Sequence, residues 1–229
     1  MTIIIPSYNQ QEYLPDAIES ALSQTVRPEI IVVDDGSTDN SLAIARGYEK
    51  DGVKVIAQVN KGLAAARNTG ILNATEEYIL PLDSDDMLLD TAVERLTEIA
   101  EATDADIVAP SFKAFGANDY KVILTVTPTL EDFATANRFG YFSTMRRSKL
   151  LEVGGYSPRM IWGYEDYHLW FDLLSRGAKA VVLPDILVLY RVKERSMIHD
   201  AQAHHNELMA QIQKDFPNVF KEASYESSG

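Results

Sequence analysis

The sequence predicts an α/β fold, a Rossmann-like sheet flanked by helices, and three observations carry that expectation. Apolar runs of strand length alternate with segments of helical period from Thr2 to about residue 110. Three of those runs, ending at Ile5, Val33 and Leu82, pass directly into polar or acidic residues, as strands do where an open α/β sheet binds ligands at its carboxyl edge. The chain of 229 residues is 46% hydrophobic and 24% charged, enough for one substantial core.

Thr2 to Ile5 is a β-branched strand running into the turn formers Pro6-Ser7-Tyr8-Asn9. Glu12 to Gln24 is a helix, because Leu14, Ala17, Ile18, Ala21 and Leu22 recur at helical spacing and Pro15 is tolerated in a first turn. Ile30 to Val33 is apolar without a break, as in a strand buried on both faces, and stops at Asp34-Asp35-Gly36-Ser37-Thr38-Asp39. Asn40 to Lys50 reads as a helix and Val53 to Ala57 as a third strand, so the chain opens β-α-β-α-β. The alanine-rich helix Leu63 to Ile71 can pack closely on a sheet. The strand Tyr78 to Leu82 ends in Asp83-Ser84-Asp85-Asp86. Side chains alternate along an extended backbone, so Asp83 and Asp85 are expected on one side and Asp86 on the other. Two adjacent hard oxygen donors suit Mg²⁺ or Mn²⁺ carrying a phosphate-bearing substrate. A helix from Thr91 to Ala102 then leads into the strand Asp106 to Ala109.

The style changes near residue 110. Phe112 to Thr127 reads as one or two antiparallel strands around Gly116-Ala117-Asn118-Asp119, Leu130 to Asn137 as a short helix, and Phe139 to Arg147 as a strand opening a helix that Gly154-Gly155 stops. Gly163-Tyr164-Glu165-Asp166 leads into a helix where Asp166 sits at the N-terminal edge of the stripe Leu169, Trp170 and Leu173. Val181 to Pro184 and Ile186 to Tyr190 are strand-like, Arg191 to His199 a polar loop, Ala201 to Phe216 a last helix, and Ala223 to Gly229 a frayed tail. A single domain is expected, residues 1–110 forming one half and 111–229 the other.

Composition removes several function classes. A net charge of −13 leaves no basic stripe for a nucleic-acid backbone. The absence of cysteine excludes disulfides, thiolate metal sites and cysteine nucleophiles. No apolar run approaches the roughly 20 residues of a membrane span. The first residues enter a strand without a basic n-region, which points to the cytoplasm or a cytoplasmic membrane face.

The strand ends together suit a nucleotide: Tyr8 to stack on a base, Asp35 to accept from a base N–H, Asp83 for ribose hydroxyls and Asp85 for a cation on the diphosphate. Neither a P-loop nor a dinucleotide fingerprint is present to hold phosphates, which leaves that task to the metal. These residues now resemble a known family. Pro6-Ser7-Tyr8-Asn9, Val32-Val33-Asp34-Asp35-Gly36-Ser37-Thr38-Asp39, Asn60-Lys61-Gly62 with Ala66-Arg67-Asn68-Thr69-Gly70, Leu82-Asp83-Ser84-Asp85-Asp86 and Glu165-Asp166 resemble, in order and spacing, the family 2 glycosyltransferases of the GT-A fold. The loop Arg191 to Ser196 is similar to that family's C-terminal active-site loop.

The resemblance implies inverting transfer of a sugar from a nucleoside diphosphate donor, a UDP-sugar first, to a hydroxyl of a glycan or lipid-linked acceptor, in polysaccharide or envelope glycan assembly. A divalent cation, Mn²⁺ or Mg²⁺, would be held by Asp83 and Asp85, and Asp166 would be the base, kept ionised by its helix start. Pro6, Tyr8, Asp35, Arg67, Asp83, Glu165 and Arg191 would lie on the substrate side. The C-terminal half would carry the acceptor, with Trp162 and Tyr164 as a platform or as core, and peripheral membrane contact would reach a lipid-linked one. His199 in the polar loop could reach metal or diphosphate, and His168 stands where relatives carry a further acid. Competing expectations are a non-catalytic nucleotide-sugar-binding relative, and a sugar nucleotidyltransferase, which would need a glycine-rich basic loop after the first strand.

Overall fold

The computed structural model describes residues 1–194 and 197–220, and nine strands among them join in one sheet. Its first half is β1 (Thr2–Ser7), α1 (Leu14–Leu22), β2 (Glu29–Asp34), α2 (Ser41–Gly47), a 3₁₀ turn (Glu49–Asp51), β3 (Lys54–Ala57), α3 (Leu63–Asn73), β4 (Tyr78–Pro81), β5 (Met87–Leu88) and α4 (Ala92–Thr103). The second is β6 (Ile107–Gly116), β7 (Tyr120–Val122), α5 (Leu130–Phe133), β8 (Thr144–Arg146), α6 (Arg147–Val153), α7 (Glu165–Ser175), β9 (Ala180–Val192), α8 (Met197–Ala203) and α9 (His205–Asp215).

The strand order is β3-β2-β1-β4-β8-β6-β9-β5, with β7 paired on β6. The first four strands of that order run parallel, β8 is antiparallel between β4 and β6, and β6 runs parallel to β9. Alternate side chains of β1 and β2 enter two separate cores. Ile3, Ile5, Ile30 and Val32 pack in a cluster with Leu14, Ile18, Ala45 and Leu96 of α1, α2 and α4. Ile4, Ile31 and Val33 belong to the opposite cluster with Ala66, Leu150, Trp170 and Ile212 of α3, α6, α7 and α9. Burial on both faces is why these strands read as unbroken apolar runs.

Several sequence expectations change. The strand expected from Asp106 to Ala109 and the first of those expected from Phe112 are one strand, β6, and the helix expected from Leu130 to Asn137 stops at Phe133. β1 continues through Pro6 and Ser7; its ladder with β4 ends at Ile4 opposite Pro81, so the N–H that Pro6 lacks is not needed on that side. β9 is one strand, because Pro184 and Asp185 are absorbed as a bulge between the partners of Pro110 and Ser111. The loop expected from Arg191 to His199 is shorter: Arg191 and Val192 finish β9, and His199 lies in α8. Arg195 and Ser196 of that loop, and the tail Ala223 to Gly229, lie outside the described residues. The last helix is two, α8 and α9, parted at His204. β5, at two residues, is too short to leave a periodic signal.

Candidate active site

The loops after β1 and β2 are fastened together first. Asn9, at a φ of 54°, accepts at Oδ1 from the Thr38 amide at 2.8 Å, and its own amide donates to Ser37 Oγ at 3.0 Å. Asp35, buried beside them, accepts at Oδ1 from Gln58 Nε2 at 2.7 Å and the Lys61 amide at 2.9 Å, and at Oδ2 from the Gly62 amide at 2.8 Å. Gln58 is itself oriented by Thr69 Oγ1, which donates to its Oε1 at 2.6 Å. A chain of hydrogen bonds thus runs from α3 to Asp35. A carboxylate has about four acceptor positions, so three are used. Tyr8, 47% exposed, stands at the mouth of the same cleft, with Pro6 in its wall.

The three acids after β4 are not an extended continuation of the strand. Asp83 to Asp86 is a turn closed by the Asp86 amide donating to the Asp83 carbonyl at 3.0 Å. The turn gives the division expected from alternation by another route: Asp83 and Asp85 line the cleft and Asp86 is buried. Asp86 accepts from the Tyr141 hydroxyl and from the Arg191 amide, and burial beside Asp85 and Asp83 raises its pKa well above the usual carboxylate range. Burial pushes Asp83 up to about 6, with Arg67 opposing and Asp85 adding to the rise.

Arg67 on α3 joins the two halves. Only 1% exposed, it donates Nη2 to Asp83 Oδ1 at 2.7 Å and Nη1 to Glu165 Oε1 at 2.5 Å, and lies 5.0 Å and 5.1 Å from the ring centres of Tyr141 and Tyr156. The residues after it explain the motif. Asn68 clamps Tyr156 by donating to its carbonyl and accepting from its amide, each at 2.8 Å. Gly70 lies where a Cβ would come within 2.4 Å of Ile4 on β1.

Asp166 opens α7 beside Glu165. It accepts at Oδ1 from the Tyr167 amide at 2.7 Å and at Oδ2 from Asn137 Nδ2 at 3.0 Å. The helix start does not hold it ionised in the way its position suggests: burial, and then the charge of Glu165, push it up to about 7, against Arg67 and these two donors. A carboxylate poised near neutrality is suited to accept and release a proton.

Two clefts meet here. The first, about 490 Å³, is lined by Tyr8, Asp35, Asp83, Asp85, Glu165 and Arg191 among others. The second, about 780 Å³, is lined by Asp166, Asn137, Tyr141, Tyr164, His205 and Gln213 among others. Leu63, Asp83 and Glu165 belong to both walls. Arg191 lines the first, with its guanidinium committed to the Asp85 carbonyl at 2.8 Å and Asp16 at 3.0 Å. Trp162 stacks on His204 at 4.4 Å between ring centres and is not among the residues lining the second cleft, whereas Tyr164 lines it. His168 is buried, its Nε2 3.0 Å from Asp215 Oδ2, so it serves packing between α7 and α9.

Asp83 and Asp85 fit a hard divalent cation in donor chemistry and in sharing one wall. Among the described residues no group of three or more His, Asp or Glu could hold a metal. A cation held by these two acids would complete its shell with water and the oxygens of a diphosphate. Sequence reasoning missed Gln58, Tyr141 and Asn137, isolated polar residues brought in from distant segments; Lys193 lies in the Arg191 to Ser196 loop that the resemblance marked, but its pairing with Asp85 was not expected, and Asn60-Lys61-Gly62 marked the loop that Asp35 holds.

Residues 2–168 match the family described as glycosyl transferase family 2. Over 131 residues the chain is 39% identical to the glycosyltransferase GlyG of Streptococcus pneumoniae serotype 4, a stretch covering 56% of this chain and 44% of GlyG. Residues 1–349 of S. aureus TarS, solved with UDP-GlcNAc, superpose with a TM-score of 0.76 at 21% identity, over 86% of this chain and 60% of that one. The mannosyltransferase PcManGT of Pyrobaculum calidifontis, solved with GDP-Man and Mn²⁺, superposes with a TM-score of 0.75 at 19% identity, over 97% and 68%. This chain spans less than half the length of GlyG. The fold is GT-A, as the motifs predicted, and since the family match covers most of the described residues, the chain belongs to glycosyl transferase family 2.

Proposed function

We propose that the chain transfers a sugar from a nucleoside diphosphate donor in the first cleft to a hydroxyl of a glycan or lipid-linked acceptor in the second, inverting the anomeric centre. The observation that carries this reading is the shared wall: Asp83 and Glu165 face both clefts, and Asp166 opens only on the second. Residues 1–110 are then the donor half and 111–229 the acceptor half of one domain.

Tyr8 stacks on the base, and Asp35 offers its remaining acceptor position to a base N–H. A uracil N3–H needs one such acceptor, which makes a UDP-sugar the first choice, although the structural neighbours were solved with both uridine and guanosine donors. Asp83 faces the ribose and, with Asp85, the diphosphate. A divalent cation there supplies Lewis acidity to the leaving diphosphate, and the Mn²⁺ reported with PcManGT supports its use. Asp166 removes the acceptor hydroxyl proton as the oxygen attacks the anomeric carbon from the side opposite the diphosphate. One displacement with one base inverts the configuration. Arg67 fixes the spacing of Asp83 and Glu165 from within and does not itself face the donor cleft. A lipid-linked acceptor would be met by peripheral contact; no helix among the described residues is long and apolar enough to cross a membrane.

The test is donor turnover with Mn²⁺, read as nucleoside diphosphate release, for UDP-, GDP- and dTDP-sugars with neutral glycan acceptors, in wild type and Asp166→Asn. Turnover lost in the variant with donor binding kept supports the reading. Donor binding without turnover in either protein favours a non-catalytic nucleotide-sugar-binding relative.

A further inference from the structure

Each of the three acids in the Asp83–Asp86 turn has a different partner. Asp86 is buried and held by the Tyr141 hydroxyl and the Arg191 amide. Asp83 is held by Arg67, whose guanidinium is enclosed by Tyr141 and Tyr156 and also bonded to Glu165, so it cannot leave. Asp85 is held by Lys193, the first residue after β9, with Nζ 2.5 Å from Asp85 Oδ2. That ammonium rides on a flexible stem, is 25% exposed, and lies 5.3 Å from the centre of the Tyr13 ring. Both Asp85 and Lys193 line the first cleft.

A dication on Asp85 and an ammonium on the same carboxylate repel, so one must yield. The donor brings a countercharge of its own, because a diphosphate carries more negative charge than one dication neutralises. We propose that Lys193 is an exchange cation: it neutralises Asp85 in the donor-free protein and passes to an oxygen of the nucleoside diphosphate when the cation takes Asp85. Residue and ligand chemistry are thereby specified, a lysine ammonium trading a carboxylate for a diphosphate. Cation and nucleotide then enter as one unit, and the cation alone is held off. The proposal rests on the donor and cation reading above.

The experiment measures protein-bound Mn²⁺ and nucleotide by equilibrium dialysis, in which free ion and its nucleotide complex equilibrate across the membrane, with and without UDP, GDP, dTDP or CDP, in wild type, Lys193→Met, Lys193→Arg and Asp85→Asn. Lys193→Met should bind Mn²⁺ alone about threefold to tenfold more tightly, because the competing ammonium is gone. The same variant should bind the preferred diphosphate with Mn²⁺ about tenfold more weakly, since a charge-assisted bond is lost. Lys193→Arg should stay near wild type in both. Mn²⁺ affinity unchanged in Lys193→Met, or both affinities moving in one direction, overturns the exchange and leaves the donor reading standing. Absence of Mn²⁺ binding by wild type with all four diphosphates overturns the cation reading, and the exchange with it.

Discussion

Arg67 on α3 reaches Glu165 on α7 at 2.5 Å, across 98 positions of sequence, from a site with 1% exposure. With Asp83 at 2.7 Å on its other arm, this guanidinium bridges two acids that line both clefts. Replacing Arg67 by Met leaves Asp83 and Glu165 without it. We expect a loss of about 3–5 kcal/mol in urea unfolding at pH 8. The loss should shrink at pH 5, where Asp83, already raised to about 6 with Arg67 present, is protonated and no longer needs a partner. An equal loss at both pH values would mean that packing between Tyr141 and Tyr156 is the larger part.

Asp166 predicts opposite effects on activity and stability. With Asp166 in the proposed role of base, transfer in the wild type should rise with pH through about 7 and level above it. Asp166→Asn should lower turnover by about 10²–10⁴-fold. The folded pKa is raised above the unfolded value of about 4, so its favourable contribution is complete below pH 4 and is lost as pH rises through about 7. At pH 8 the charged group opposes folding, and Asp166→Asn should therefore stabilise the protein there by about 1–3 kcal/mol, with little effect at pH 4. Denaturant titrations at the two pH values check this.

Asp35 is held by three donors, so Asp35→Asn places an amide group where a backbone N–H must find an acceptor. Diphosphate affinity should fall about 10- to 100-fold by calorimetry, as the loop Gln58 to Gly62 loosens and the proposed base contact is lost. Thr69→Val, which removes only the bond that orients Gln58, should give a smaller loss in the same direction.

Gly70 is a packing glycine. Gly70→Ala forces a Cβ to within 2.4 Å of Ile4 Cγ2 and should cost about 1–3 kcal/mol by differential scanning calorimetry. Combined with Ile4→Ala, the double variant should lose less than the sum of the two singles.

The first half of the fold was legible because its strands and helices bury periodic faces against two cores, a pattern the chain states outright in Ile30 to Val33 and in Leu14 to Leu22. The second half was legible in outline only. β9 reads as two strands because its Pro184-Asp185 bulge looks like a turn, and its partnership with β6 lies some 70 positions away. In the site, acids at strand ends announced themselves, since Asp35, Asp83 and Asp85 follow apolar runs. Their controls did not. Tyr141, Asn137 and Gln58 act through contacts between distant segments, and a lone polar residue carries no spacing from which such a contact can be read; the loop of Lys193 was marked, but its pairing with Asp85 was not. The charge state of Asp166 was misjudged for a related reason: a helix start is visible in sequence, whereas burial beside Glu165 is a property of packing.

The central claim is a cation-dependent nucleotide site on Asp85, and the most direct test is thermal unfolding with UDP, GDP, dTDP and CDP, with and without Mn²⁺, in wild type and Asp85→Ala. At 100 times its dissociation constant the preferred diphosphate should add about 2.7 kcal/mol to the wild type when Mn²⁺ is present, and nothing to Asp85→Ala. Stabilisation by none of the four, or equal stabilisation of both proteins, would contradict it.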